Sequence, residues 1–189
     1  MKTLSRRRGA TVALFGAAGA LAAGASFWVA PGFAGAAGAG LAGIALAIAF
    51  VDWRYMIVPD ELATLALALG FADLSHRNWG AMLEPALEAM LRCAAMAGLF
   101  LAFRLGYRRL RGREGMGLGD VKLAGVAGAW LDWTSLPIAV EIAALSALGL
   151  VAARRLVSRE PLDPLAKLAF GAFLAPAIWI AWLLEHWRN

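Results

Sequence analysis

The chain has 189 residues, 61% of them hydrophobic, and a mean hydropathy of +0.68. A soluble domain is about 45–50% apolar, so this excess, set out in long runs, marks an integral membrane protein. The formal net charge of +5 would suit nucleic acid, but the bases gather at the ends of apolar runs, as topology signals do, so no nucleic-acid partner is expected.

Lys2, Arg6, Arg7 and Arg8 precede a first apolar run, from about Ala10 to Ala30. Ala23-Gly24-Ala25 resembles a small-residue cleavage site, but the run is long enough to span, so an uncleaved first helix is expected. Pro31-Gly32 is a turn. The second span, about Phe33 to Val51, is rich in Ala and Gly, which lets helices pack closely in a bilayer. It ends at Asp52-Trp53-Arg54, with a polar break to Pro59. The third span covers about Asp60 to Leu74, and the fourth about Met82 to Leu105. Arg108, Arg109, Arg111 and Arg113 then lead into Gly115-Met116-Gly117-Leu118-Gly119-Asp120-Val121-Lys122. A short fifth span runs from about Val121 to Leu131, tilted or part of a re-entrant loop. The sixth runs from about Leu136 to Ala153 and ends in Arg154, Arg155 and Arg159. The seventh runs from about Leu168 to Leu184. The expected fold is an all-α transmembrane bundle of six to seven helices, with residues 1–189 forming one domain.

Charge sets the expected orientation. The loops at 1–9, 52–59, 106–119 and 154–167 hold most of the Lys and Arg, which places them on the cytoplasmic side. Trp28, Trp79, Trp133 and Trp187 fall at the opposite edge, where amphipathic rings settle. One cysteine, Cys93, forms no internal disulfide and reads as a small buried hydrophobe. His76 and His186 stand too far apart in sequence to suggest a metal site.

This topology brings Asp52 and Asp120 to one membrane face. A carboxylate at the edge of a bilayer core is costly unless partnered or wetted, so each is a functional candidate. Two carboxylates sharing a site cannot both ionise cheaply, so one holds a proton. Such a pair suits attack of water on a peptide carbonyl, with no cofactor, metal, serine or thiol required. A plainer role for Asp120 is to cap the next helix. Asp60 and Glu61 follow Pro59 and suit a helix first turn, whereas Asp52 sits at a helix C-terminus, against the dipole. Asp52 therefore ranks above Asp60. Lys122 is either a cation near the pair or a snorkelling basic residue. Glu88 and Arg92 can pair at i,i+4, and Arg92 lies at a depth to partner Glu141.

The stretch from Asp52 to Pro59-Asp60 resembles the first aspartate motif of type IV prepilin peptidases. Gly115 to Leu123 is similar to their second, the GxGD signature. Phe170-Gly171-Ala172-Phe173-Leu174-Ala175-Pro176-Ala177 resembles their C-terminal segment, with Ala169 and Ala172 where prolines are common. The resemblance implies a membrane aspartyl protease with Asp52 and Asp120 as its catalytic dyad. It implies cleavage of the short basic leader from prepilins or pseudopilins, at the cytoplasmic face of a bacterial inner membrane. The short chain looks like the peptidase-only branch found with Flp/Tad-type pili, without the paired Cys-x-x-Cys insertion, and N-methylation is not expected. The glycine loop is expected to act as a gate, with Gly117, Gly119 and Lys122 at the substrate. Two other readings stay open: a transporter or channel subunit using Asp52, Asp120 and Glu141, and a non-catalytic membrane scaffold.

Overall fold

The computed structural model describes residues 2–113, 115–158 and 169–188, and for residues 2–14, 157 and 158 it describes the backbone alone. Arg159, Leu168 and most of the 154–167 loop lie outside the described residues, as do the side chains of Lys2 and Arg6 to Arg8. Among the described residues seven helices follow in order: α1 Lys2–Val29, α2 Phe33–Tyr55, α3 Asp60–Arg77, α4 Leu83–Arg111, α5 Leu118–Trp130, α6 Ser135–Ser158 and α7 Gly171–Arg188. Three of them, α2, α4 and the Ser135–Leu156 part of α6, are long and apolar enough to cross a membrane. Each helix answers one apolar run of the sequence, and the described residues contain no strand.

The short helix lies at the centre. With 13 residues, α5 is about 20 Å long, well short of a bilayer core of about 30 Å. Residues Val126 to Trp130 are all buried, and α5 packs against α3, α4 and α7. The outer helices pair as α1 with α2 and α6 with α7, and α2 also lies along α7.

Lipid tails are as apolar as leucine, so burial alone does not hold such helices together. Close packing and hydrogen bonds do. Gly38 of α2 lies under Trp182, where an added Cβ would fall 2.3 Å from the ring. Gly128 of α5 lies against the α4 backbone, where a Cβ would come 2.3 Å from Cys93 N. Cys93 is partly rather than fully buried. Trp130 Nε1 donates to Ala66 O at 2.8 Å, tying α5 to α3, and Trp179 Nε1 donates to Ser26 Oγ at 3.1 Å, tying α7 to α1.

Arg92 is the buried charge of α4. Its Nε donates to Gly128 O at 3.1 Å and its Nη1 pairs with Glu88 at 2.8 Å. The Glu88 pairing matches the i,i+4 expectation. The Glu141 partnership does not hold: among the described residues α4 and α6 make no contact, and Glu141 is exposed. Equal depth along two spans does not make them neighbours.

The helix ends sort into two sets. The C-terminal end of α2 and the N-terminal ends of α5 and α7 come together at one end through Asp52, Asp120 and Gly171, as described below. At the other end Phe33 stacks on His76 at 4.4 Å, and Asp132 N donates to Glu185 Oε2 at 3.1 Å. There Asp132 also starts α6, accepting from Ser135 N at 2.6 Å and Thr134 Oγ1 at 2.9 Å. Burial pushes Asp132 up, but the hydrogen bonds from Ser135 and Thr134 outweigh it and hold its carboxyl below the usual range.

Candidate active site

Asp52 lies inside α2, one turn before its end, so the helix runs further than the sequence break at Asp52 suggests. Met56 closes that turn, donating its N–H to Asp52 O at 2.8 Å. Met56 has φ 57, in the left-handed region, where a side chain costs roughly 1–2 kcal/mol. That bend sends residues 57–59 back across the end of the bundle.

Asp120 lies in the first turn of α5, which begins at Leu118 rather than at Val121. Gly117 caps the helix, and its N–H donates to Asp120 Oδ2 at 3.3 Å. Asp120 thus has a share in capping, but only through Oδ2. Both aspartates are buried, at 6% exposure for Asp52 and 7% for Asp120.

The N-terminus of α7 joins them. Ala172 donates its N–H to Asp52 Oδ2 at 2.8 Å. At Gly171, the position a Cβ would occupy is 2.9 Å from Asp52 Oδ2 and 3.3 Å from Asp120 Oδ1. The two oxygens therefore border the same space beside a bare glycine and lie no further apart than those two distances combined. The negative charge that the α2 dipole disfavours at Asp52 meets the positive end of α7.

The neighbouring groups brace this arrangement. Gly119 lies against Val58, whose Cβ would be 2.7 Å from a Cβ at that position. Arg104 of α4 donates from Nη1 to Met116 O at 2.9 Å, and the Tyr107 ring covers Gly115. The glycine loop is thus gripped by α4 at Met116 and packed on Val58 at Gly119. Gly117 has φ −72, and its nearest neighbours stand at ordinary contact distance. Lys122 ion-pairs with Asp60 at the start of α3. Asp60 occupies the helix first turn, as expected, and its partner was not foreseen.

Sequence reasoning placed Asp52 and Asp120 on one face but gave no role to Val58, Arg104, Gly171 or Ala172. Gly171 and Ala172 were visible only as part of the C-terminal motif. Among the described residues, no group of three or more His, Cys, Asp or Glu side chains is placed to hold a metal ion.

A family model described as "Type IV leader peptidase family" matches residues 39–152, which include Asp52 and Asp120. Curated relatives include a protein named prepilin leader peptidase/N-methyltransferase from Burkholderia pseudomallei, 42% identical over 168 residues, covering 84% of this chain and 50% of that protein. Proteins of the same name from Aeromonas hydrophila, 33% identical over 159 residues (82% of this chain, 51% of the relative), and Pseudomonas aeruginosa, 35% over 141 residues (73% and 46%), are also similar. The chain spans about half the length of these relatives. No solved structure matches it. The matched residues cover more than half of the described helices and hold both aspartates, and the chain belongs to the type IV leader peptidase family.

Proposed function

We propose that this chain is an aspartic endopeptidase that removes the short basic leader from type IV prepilins or pseudopilins. The observation that carries the reading is the approach of Asp52 Oδ2 and Asp120 Oδ1 around Gly171. Two buried carboxylates so placed share one proton. The α7 amide end favours negative charge on Asp52, so Asp52 takes the proton of the attacking water. Protonated Asp120 donates a hydrogen bond to the scissile carbonyl oxygen. Water oxygen bonds to the carbonyl carbon, and the tetrahedral intermediate breaks its C–N bond as the leaving nitrogen receives a proton from the dyad. Ala172 N and Gly117 N each hold one carboxylate oxygen in place during these steps.

The dyad sits at the end of the bundle that carries the basic 52–59 and 106–119 loops, which by the positive-inside rule supports a place at the cytoplasmic face, and the membrane proposed is a bacterial inner membrane. Trp28, Trp79, Trp133 and Trp187 are all exposed at the other end, as an interfacial belt requires. A prepilin helix lying in the bilayer would bring its leader junction to this depth. The test is to reconstitute the purified chain in lipid with a prepilin and measure product mass. A product cut at the junction between leader and apolar helix is expected. No product, or cleavage elsewhere, contradicts the reading.

A further inference from the structure

The two aspartates are held by a third piece of chain. After the bend at Met56, Val58 turns inward and is 7% exposed, whereas Ile57 faces out. Val58 touches both sides of the site. Its Cγ2 lies 2.7 Å from the Cβ position of Gly119, next to Asp120, and 3.0 Å from that of Gly171, next to the amide that holds Asp52. One isopropyl group thus packs on the backbone behind each carboxylate. Pro59, with φ −62 and ψ 133, fixes the exit of this segment into α3. Asp60 then ion-pairs with Lys122, two residues beyond Asp120 on α5. The same pair lines an apolar groove of about 580 Å³ between α3, α4 and α5, so it ties α3 to α5 where the helices part.

We propose that Val58 to Asp60 is the positioning element of the dyad. Val58 is its wedge, and the Asp60–Lys122 pair is the clasp that holds the wedge against α5. The proposal rests on the dyad reading above. It gives Lys122 a role through Asp60 rather than through substrate. The clasp is exposed, with side-chain exposures of 71% for Asp60 and 45% for Lys122, so it adds little to global stability. Its loss should therefore appear in turnover and not in melting. A contact that only held the fold together would do the reverse.

The test uses the full chain in lipid, a prepilin substrate, and the variants Asp60→Lys, Lys122→Asp and Asp60→Lys/Lys122→Asp. Each single variant should lose roughly 10- to 100-fold in kcat, the scale of a slightly misplaced catalytic group, with KM and thermal midpoint unchanged. The double variant should recover most of the loss, because the pair is restored with its charges exchanged. Val58→Ala should also lower kcat and, because it truncates a buried side chain, should lower the thermal midpoint as well. Full kcat in the single variants, or no recovery in the double, overturns the clasp. A rise in KM alone for Lys122→Asp also overturns it and makes Lys122 a substrate contact. Asp52→Asn serves as the control: if it still cleaves, the dyad reading itself falls, whereas a dead Asp52→Asn beside fully active clasp variants removes the clasp alone.

Discussion

Ala172, in the first turn of α7, donates its backbone N–H to Asp52 Oδ2 at 2.8 Å across 120 residues of sequence. This contact gives a reason for an acid near the C-terminus of α2. The last carbonyls of α2 repel it, and the first amides of α7 hold it. Gly171 leaves the space that lets the second carboxylate approach.

Gly171→Ala should therefore abolish most activity. Its Cβ would enter 2.9 Å from Asp52 Oδ2 and 3.3 Å from Asp120 Oδ1. Prepilin cleavage should fall about 100-fold or more, as when reacting groups are displaced by about an ångström. The measurement is the cleavage rate at matched protein level, beside the thermal midpoint in detergent. Wild-type turnover would mean the carboxylates do not need that space.

The two glycines of the loop should behave differently. A side chain at Gly119 meets Val58 at 2.7 Å, so Gly119→Val should lose both thermal stability and cleavage. At Gly117 the nearest atom to an added Cβ is Asp120 Oδ2 at 3.6 Å. Gly117→Val should keep its thermal midpoint and lose turnover, the outcome expected of a loop whose backbone meets substrate. Near wild-type cleavage by Gly117→Val would show that the loop does not meet substrate.

Much of this architecture was legible in the sequence, because each helix follows a predominantly apolar run and the bases mark alternate loops. The pairing of Asp52 with Asp120 on one face followed from that count. Which helix ends touch did not follow. The α7 amides reach Asp52 through a close approach at Gly171 that no periodicity reports. The i,i+4 spacing gave Arg92 its partner Glu88 correctly, but depth alone also offered it Glu141, and its contact across the helices proved to be the Gly128 carbonyl. The Asp60–Lys122 pair stayed hidden because each residue had a sufficient local explanation, one as a first-turn acid and the other as a snorkelling base. Asp73, fully buried and 2.9 Å from Arg77, drew no notice in an ordinary polar helix end.

Arg92→Met should destabilise the bundle without touching the chemistry. It removes the donor to Gly128 O, deep between α4 and α5, while keeping a flexible apolar stem. A hydrogen bond from a charged group contributes about 1.5–3 kcal/mol. The thermal midpoint in detergent should drop clearly, while kcat of the folded fraction stays near wild type. An unchanged midpoint would show that the buried guanidinium does not hold the two helices.

The central claim is that Asp52 and Asp120 act as one unit on one substrate bond. Leader cleavage of a prepilin by Asp52→Asn, Asp120→Asn and the double variant, reconstituted in lipid at equal amounts, tests it most directly. Each single variant should be inactive, and the double variant no worse than either single, because removing one member already disables the pair. Asp60→Ala, measured alongside, should retain detectable cleavage. Substantial cleavage by either asparagine variant would contradict the account.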